Sequence, residues 1–255
     1  MTDVSVVVHS EPSVVAQAAA ARLIVRVVDA QAERGWASVV LTGGRIASAI
    51  YTAVRDSPAR DAIDWRRLDL WWGDERFLPA GHADRNDTQA RAALLDAVPL
   101  DPARVHPMPA SDQTGDDPEG AAARYAEELA NAAKPGTARL PHFDVLLLSV
   151  GEDGHVASIF PEHPAAYETR PVAAVRGSPK PPPIRLSLTL PAINCAEEIW
   201  LIATGAEKAG AVGMALTGAG PVQLPAAGVR GVERTLWMLD RAAATEISPS
   251  ARSLR

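Results

Sequence analysis

The chain has 255 residues, of which 47% are hydrophobic, and a formal net charge of −6. That is ample apolar material for a packed globular core, and the negative balance argues against a nucleic-acid partner. The single cysteine, Cys195, excludes an internal disulfide and a cysteine-based zinc cage, and it fits a cytoplasmic location.

No basic segment followed by an apolar one opens the chain, so no signal peptide is expected. No run nears the ~20 apolar residues of a spanning helix, so no membrane partner is expected either. Residues 4–8 are short, β-branched and apolar, which predicts a first strand. Pro12 and Ser13 open a helix over 13–34, apolar at helical spacing, and Gly35 stops it. Residues 37–41 predict a second strand, which empties into Thr42-Gly43-Gly44-Arg45 ahead of a helix over 46–55. A third strand, 68–72, empties into a loop, Gly73-Asp74-Glu75-Arg76. A longer loop over 77–85 and a helix over 86–97 follow. Residues 99–117 are rich in Pro and small polar residues and predict an irregular surface connection with scope to move.

Residues 118–133 predict a helix, and 134–141 lead into the central strand. That strand is an apolar run from Phe143 that empties into Gly151-Glu152-Asp153-Gly154-His155. The prolines within 179–183 force an extended or turning backbone, and 184–189 alternates like a half-buried strand. Residues 199–203 predict a strand that empties into Thr204-Gly205, and a helix over 207–216 carries Lys208 in its first turn. A last strand spans 235–240, and the polar tail from Ala242 is expected to fray. Alternating strands and helices predict an α/β protein: a mostly parallel β-sheet with helices on both faces. Without internal repeat or linker, one domain over 1–255 is expected.

In such a sheet the loops at Thr42, Gly73, Gly151 and Thr204 gather at one edge, where ligands bind. Paired glycines before a helix let backbone N–H groups face an anion; the alternative is a tight turn needing positive φ. The spacing is neither that of a P-loop nor that of a dinucleotide site, so neither ATP nor NAD is expected. Lys occurs only at 134, 180 and 208, so a Lys in a special position stands out. Lys208, in a first helical turn, opposes the helix dipole unless an anion is bound; the other reading is an exposed lysine beside Glu207. Arg185 can add a guanidinium fork to the same anion, or is a strand-surface charge. Asp74 and Glu75 can bind sugar hydroxyls and Arg76 a developing oxyanion; a local ion pair is the other reading for Glu75. Asn86 is a ligand group or a helix cap. His155 can take a proton from water at neutral pH, and Asp153 is near enough to orient it. No HExxH or H-x-x-x-H spacing occurs, so no metal is expected, and no serine lies in a nucleophile elbow.

Trp72-Gly73-Asp74-Glu75-Arg76, Asp84, Asn86 and the run from Gly151-Glu152-Asp153-Gly154-His155 to Phe160-Pro161 resemble signatures of the 6-phosphogluconolactonase family. Arg185-Leu186-Ser187-Leu188-Thr189 and Gly205-Ala206-Glu207-Lys208-Ala209 are similar to two further family segments. The resemblance covers nearly the whole chain. It implies a Rossmann-like fold shared with glucosamine-6-phosphate deaminases. It also implies hydrolysis of 6-phosphoglucono-δ-lactone in the pentose phosphate pathway, with no cofactor or metal. On this footing His155, Asp153 and Arg76 are expected to be catalytic. Thr42, Gly43, Gly44, Arg45, Asp74, Glu75, Asn86, Gly151, Gly154, Arg185 and Lys208 are expected around the substrate. The expected partner is a phosphorylated sugar lactone, bound by a monomer or small homo-oligomer.

One departure concerns the glycine loop, which in the family usually reads Ser-Gly-Gly, then Ser or Thr, then Pro. Here Arg45 and Ile46 follow the glycines, so the amides remain but the hydroxyl does not. Arg45 either replaces that contact with a charge or points away. Two other readings compete. A deaminase of this fold has a glutamate five residues past the loop histidine, where this chain has Phe160. A sugar-phosphate sensor needs the phosphate cradle but no base, and the DNA-binding segment of such regulators is not evident.

Overall fold

The computed structural model describes residues 3–133 and 139–248. Seven strands form one sheet: β1 (Asp3–His9), β2 (Ala37–Leu41), β3 (Leu68–Trp72), β5 (Val105–His106), β6 (Val145–Ser149), β9 (Glu198–Ala203) and β10 (Arg234–Asp240). Their order is β1-β10-β9-β6-β2-β3-β5, and every pairing is parallel. Helices α1 (Pro12–Arg34), α2 (Arg45–Asp56), α3 (Asn86–Ala93), α4 (Pro118–Ala132), α5 (Leu190–Ile193) and α6 (Ala209–Leu216) flank it. This is the expected α/β architecture, and its cause lies in the strands. Every residue of β2 is buried, as are the leucines of β6, so both sheet faces are covered. Each such Val or Leu contributes on the order of 1.5–3 kcal/mol through burial. Helix α1 starts with a proline in its first turn and ends at Gly35 (φ 80°), whose N–H bonds to the Gln31 carbonyl.

A second sheet, absent from the sequence reading, holds β4 (Asp74–Arg76), β8 (Arg185–Leu188) and β7 (Val172–Val175), all antiparallel. The expected loop at 73–76 is therefore a strand. Gly73 joins the two sheets: its N–H bonds to the Leu41 carbonyl and its carbonyl accepts from Leu188 N.

Other boundaries differ for local reasons. The helix expected over 86–97 stops at Ala93, where Leu94 leaves helical geometry (φ −147°) and a tighter turn buries both Leu94 and Leu95. The helix expected from 207 begins at Ala209, after a 3₁₀ turn over Ala206–Lys208. Residues 99–117 are anchored rather than loose: Arg85 Nη2 donates to the Met108 carbonyl and Ser111 N to that of Leu78. The tail does not fray at Ala242, because Ala243, Ala244 and Ile247 are buried. Part of the expected connection into β6, 134–138, lies outside the described residues, as does 249–255.

The strand order reverses between β2 and β6. The chain runs outward through β2, β3 and β5, then returns to β6 and proceeds through β9 to β10. A crevice opens beyond the carboxyl ends of strands at such a switch point.

Candidate active site

That crevice is a cavity of about 320 Å³. Of the sequence-predicted site residues, Thr42, Gly43, Gly44, Arg45, Asp74, Arg76, Asn86, Gly151, His155, Arg185 and Lys208 line it. Glu75, Asp153 and Gly154 do not.

The glycine loop is fixed from behind. Tyr51 on α2 donates its hydroxyl to the Thr42 carbonyl and accepts from Thr42 N, at 2.7 and 3.0 Å. Ser149 at the end of β6 donates to the Gly43 carbonyl at 2.9 Å, so the two central strands share one loop junction. A Cβ on Gly43 would stand 1.9 Å from Asn86 Oδ1, so only glycine admits Asn86 here. The first N–H groups of α2 open toward this space with the positive end of the helix dipole.

The histidine turn is equally tight. Gly151 N donates to the His155 carbonyl at 2.9 Å, folding the turn back on itself. His155 Nδ1 lies 2.5 Å from Asp153 Oδ1. A Cβ on Gly151 would stand 1.9 Å from that same Nδ1, so a side chain at 151 is incompatible with the pair. The Phe160 ring supports the imidazole, centroid to centroid 4.6 Å. Burial works to raise the Asp153 carboxyl, but hydrogen bonds and charge from His155 overcome it, helped by Lys180, and hold it at about 2. Asp153 is thus an anion behind the ring. It favours the Nδ1–H tautomer, which leaves Nε2 as the acceptor. Gly154 sits against Leu224, outside the cavity, as part of the turn.

The small sheet delivers the cations. Pairing of β4 with β8 sets Arg76 opposite Arg185. Arg76 Nη1 donates to the Asp84 carbonyl at 2.6 Å, which holds its guanidinium at the rim. Asp74 lines the cavity, but its carboxylate is engaged by Ser158 Oγ at 2.6 Å and Asn86 Nδ2 at 3.2 Å. Asn86 is not the cap of α3, a place that Arg85 takes; it lines the cavity, with Nδ2 on the Asp74 carbonyl at 2.8 Å and a buried Oδ1 that has no hydrogen-bond partner among the described residues.

Glu75 departs from its expected substrate role. It is fully buried and accepts from the backbone N–H groups of Arg76, Asn86 and Asp87, with Arg85 at 3.6 Å. Burial pushes its carboxyl up to about 7, against the pull of Arg85 and those three amides. It organises the turn between β4 and α3 and does not reach the cavity. Arg185 departs in part. It lines the cavity, but Nε and Nη2 donate to the carbonyls of Pro182, Lys180 and Pro181.

Lys180 also lines the cavity, together with Ser149, Thr204 and Glu207. The sequence reading placed the loop from Thr204 at this edge but gave none of these four residues a role, although the scarcity of lysine was a signal for Lys180. Lys208 is held near Glu152, Nζ to Oε1 3.9 Å. Its ammonium is shifted down, first by burial and then by Lys180, while Glu152, Glu207 and Asp153 resist. Arg45 and Lys180 have no ion-pair partner among the described residues. Arg45, Arg76, Lys180, Arg185 and Lys208 line the cavity against the carboxylates of Asp74 and Glu207 alone, an excess of cations that favours an anionic ligand.

A family model described as glucosamine-6-phosphate isomerases/6-phosphogluconolactonase matches residues 10–237. The chain belongs to this family. It is 64% identical to a Streptomyces coelicolor 6-phosphogluconolactonase, over 96% of this chain and 95% of that protein. It is 45% identical to the 6-phosphogluconolactonase of Mycobacterium tuberculosis, over 95% of this chain and 98% of the relative. Among solved structures, the 6-phosphogluconolactonase of Trypanosoma brucei superposes with a TM-score of 0.79 at 29% identity, covering 97% of this chain and 100% of that one. Family membership thus agrees with the motifs at the histidine and Gly-Asp-Glu-Arg turns, and the altered glycine loop does not remove it.

Proposed function

We propose that this protein hydrolyses 6-phospho-D-glucono-1,5-lactone to 6-phospho-D-gluconate, a cytoplasmic step of the oxidative pentose phosphate branch. The supporting observation is the shared cavity: an imidazole backed by a carboxylate faces the same space as Arg76, Lys208 and the glycine loop. His155 Nε2 takes a proton from water as the oxygen attacks the lactone carbonyl carbon. Arg76 steadies the tetrahedral oxyanion. As that intermediate collapses, the ring C–O bond breaks, and the imidazolium returns its proton to the departing ring oxygen, which becomes a hydroxyl. Asp153 holds the tautomer and steadies the imidazolium. Lys208 and the amides at Gly43 and Gly44 bind the phosphate.

The test is lactone opening above the spontaneous rate, followed with freshly generated substrate. His155→Ala is expected to lower kcat by about 100-fold or more, a usual general-base contribution. Unchanged turnover removes His155 from that role, and no acceleration by the unaltered protein removes the activity. Deamination of glucosamine 6-phosphate is not expected: Phe160 is 2% exposed, packs on His155 and cannot relay a proton. Ammonia released at a catalytic rate would overturn that exclusion.

A further inference from the structure

A sheet edge presents backbone N–H and C=O groups that another strand can pair with. Proteins blunt such edges by keeping them short or by placing Lys, Pro or a bulge on them. Of the edge strands in the two sheets, β5 has two residues, β4 three and β7 four. The remaining one, β1, has seven, Asp-Val-Ser-Val-Val-Val-His, with neither Lys nor Pro. Its register with β10 runs without a bulge from Asp3 opposite Arg234 to His9 opposite Asp240, and among the described residues β10 is its one partner strand. Asp3 N donates to the Glu233 carbonyl at 3.3 Å, which fixes the alternation. Asp3, Ser5, Val7 and His9 thus turn their backbone groups to β10, and Val4, Val6 and Val8 turn theirs outward. Val8 is 45% exposed, and Val4 and Val6 are half-buried.

We propose that the β1 edge is a homodimer interface, in which two copies of this chain pair their β1 strands antiparallel about a two-fold axis at Val6. The outward set is self-complementary in that register. Val4 meets the partner's Val8 and Val6 the partner's Val6, each pair exchanging both N–H···O bonds. The same register sets Asp3 opposite the partner's His9. A carboxylate with no ion-pair partner among the described residues then faces an imidazole, an acceptor against a donor. A slip of one residue would set inward backbone groups against outward ones. A slip of two would lose an end pair and the match of Asp3 with His9. The two-fold axis uses up the edge of each copy, so assembly stops at two. The contact is one strand wide, smaller than the ~1,200–2,000 Å² of stable interfaces, so association should depend on concentration in the micromolar range. Strands β10 and β9 separate β1 from β6, which leaves the cavity of each copy open.

The test is sedimentation equilibrium of the unaltered protein from about 1 to 300 μM. The mean mass is expected to rise from one chain toward two and level there. Hydrogen exchange in the peptide over residues 4–9 should slow several-fold over the same range. Val6→Pro removes the central outward N–H and leaves the ladder to β10 intact. It should keep the protein monomeric, with turnover per chain unchanged. Asp3→Lys should weaken association by about 10-fold, since it spoils two symmetric pairs, and adding His9→Asp should recover it. Should Val6→Pro fail to fold, Val8→Lys, at the exposed position, blocks the same pairing and is read the same way. A mass that stays at one chain overturns the proposal and leaves the edge to solvent or to an extended peptide of another protein. A Val6→Pro variant that dimerises as before overturns it too, because the interface then lies elsewhere. So does a mass that climbs past two chains, which is open-ended stacking.

Discussion

The two edges of the large sheet hold similar residues in opposite states. At the amino ends of the strands, Asp144 is fully buried and meets Arg26, Arg34 and His142, with Ser38 N on its other oxygen. Arg26 also holds Glu197 at 2.7 Å and Glu198 at 3.2 Å. Each charge there is matched by another. His142, Asp144 and Glu197 offer ligand atoms within 4.8 Å of one another, but two guanidinium groups already occupy the anions. At the carboxyl ends, Arg45 and Lys180 have no carboxylate within 4 Å among the described residues, and Lys208 keeps Glu152 only at 3.9 Å. The first edge is closed electrostatically and can only stabilise. The second is left unbalanced, which is the condition for drawing in an anion.

The largest expected effect breaks the closed edge. Asp144→Ala removes the buried carboxylate that holds Arg34 and leaves Ser38 N without its acceptor, while Arg26 keeps Glu197 and Glu198, and it should cost about 3 kcal/mol. In thermal denaturation that is a fall in Tm of roughly 10 °C for a chain of this size. Turnover of the folded fraction should be untouched. A Tm close to that of the unaltered protein would show that the network is spread thinly rather than centred on Asp144. His155→Ala should do the reverse, lowering kcat by about 100-fold while the melting curve stays in place.

The buried parallel strands were the legible part of the molecule. Continuous apolar strands such as residues 145–148 carry their burial in their own composition, so the parallel sheet and its edge loops could be read directly. Of the small sheet, only β8 could, as the alternating stretch over 184–189. Asp74, Glu75 and Arg76 look like a solvated loop, and they become a strand only through pairing with Ser187, Leu186 and Arg185, over a hundred positions away. The strand over 172–175 is short and lacks alternation, so nothing local announces it. The same gap explains the site residues that changed role. Glu75 is a turn organiser because three backbone N–H groups point at it, a geometry no side-chain pattern records. Lys180 lines the cavity from a turn whose carbonyls accept from Arg185 on β8, a contact that the residues around Lys180 do not announce. Local chemistry was readable, whereas partners supplied by distant backbone were not.

Smaller effects sharpen the contrast. Lys208→Ala should weaken binding of 6-phosphogluconate about 10-fold, one charge-assisted contact's worth, while an unphosphorylated sugar acid binds as before. Equal losses for both ligands would show that Lys208 does not read phosphate.

The smallest effect belongs to another balanced cluster, at β5. His106 stacks on Trp71 at 3.8 Å, with Nδ1 2.7 Å from Glu128 Oε1 and Nε2 3.9 Å from Asp69 Oδ1. Burial works to lower its imidazole, but hydrogen bonds and charge from Asp69 and Glu128 prevail and raise it to about 9. A raised value means the folded state holds a proton that the unfolded chain gives up earlier. The resulting stability is complete below the unfolded value near 6.5 and disappears as pH climbs through about 9. Glu128 is partly exposed, so solvent screening limits the effect to on the order of 1 kcal/mol, or about 2–4 °C in Tm. His106→Gln should flatten the decline of Tm between those pH values by that amount. If the variant's pH profile ran parallel to that of the unaltered protein, the proton would not be held at His106, and the cluster would owe its order to the ring stack alone.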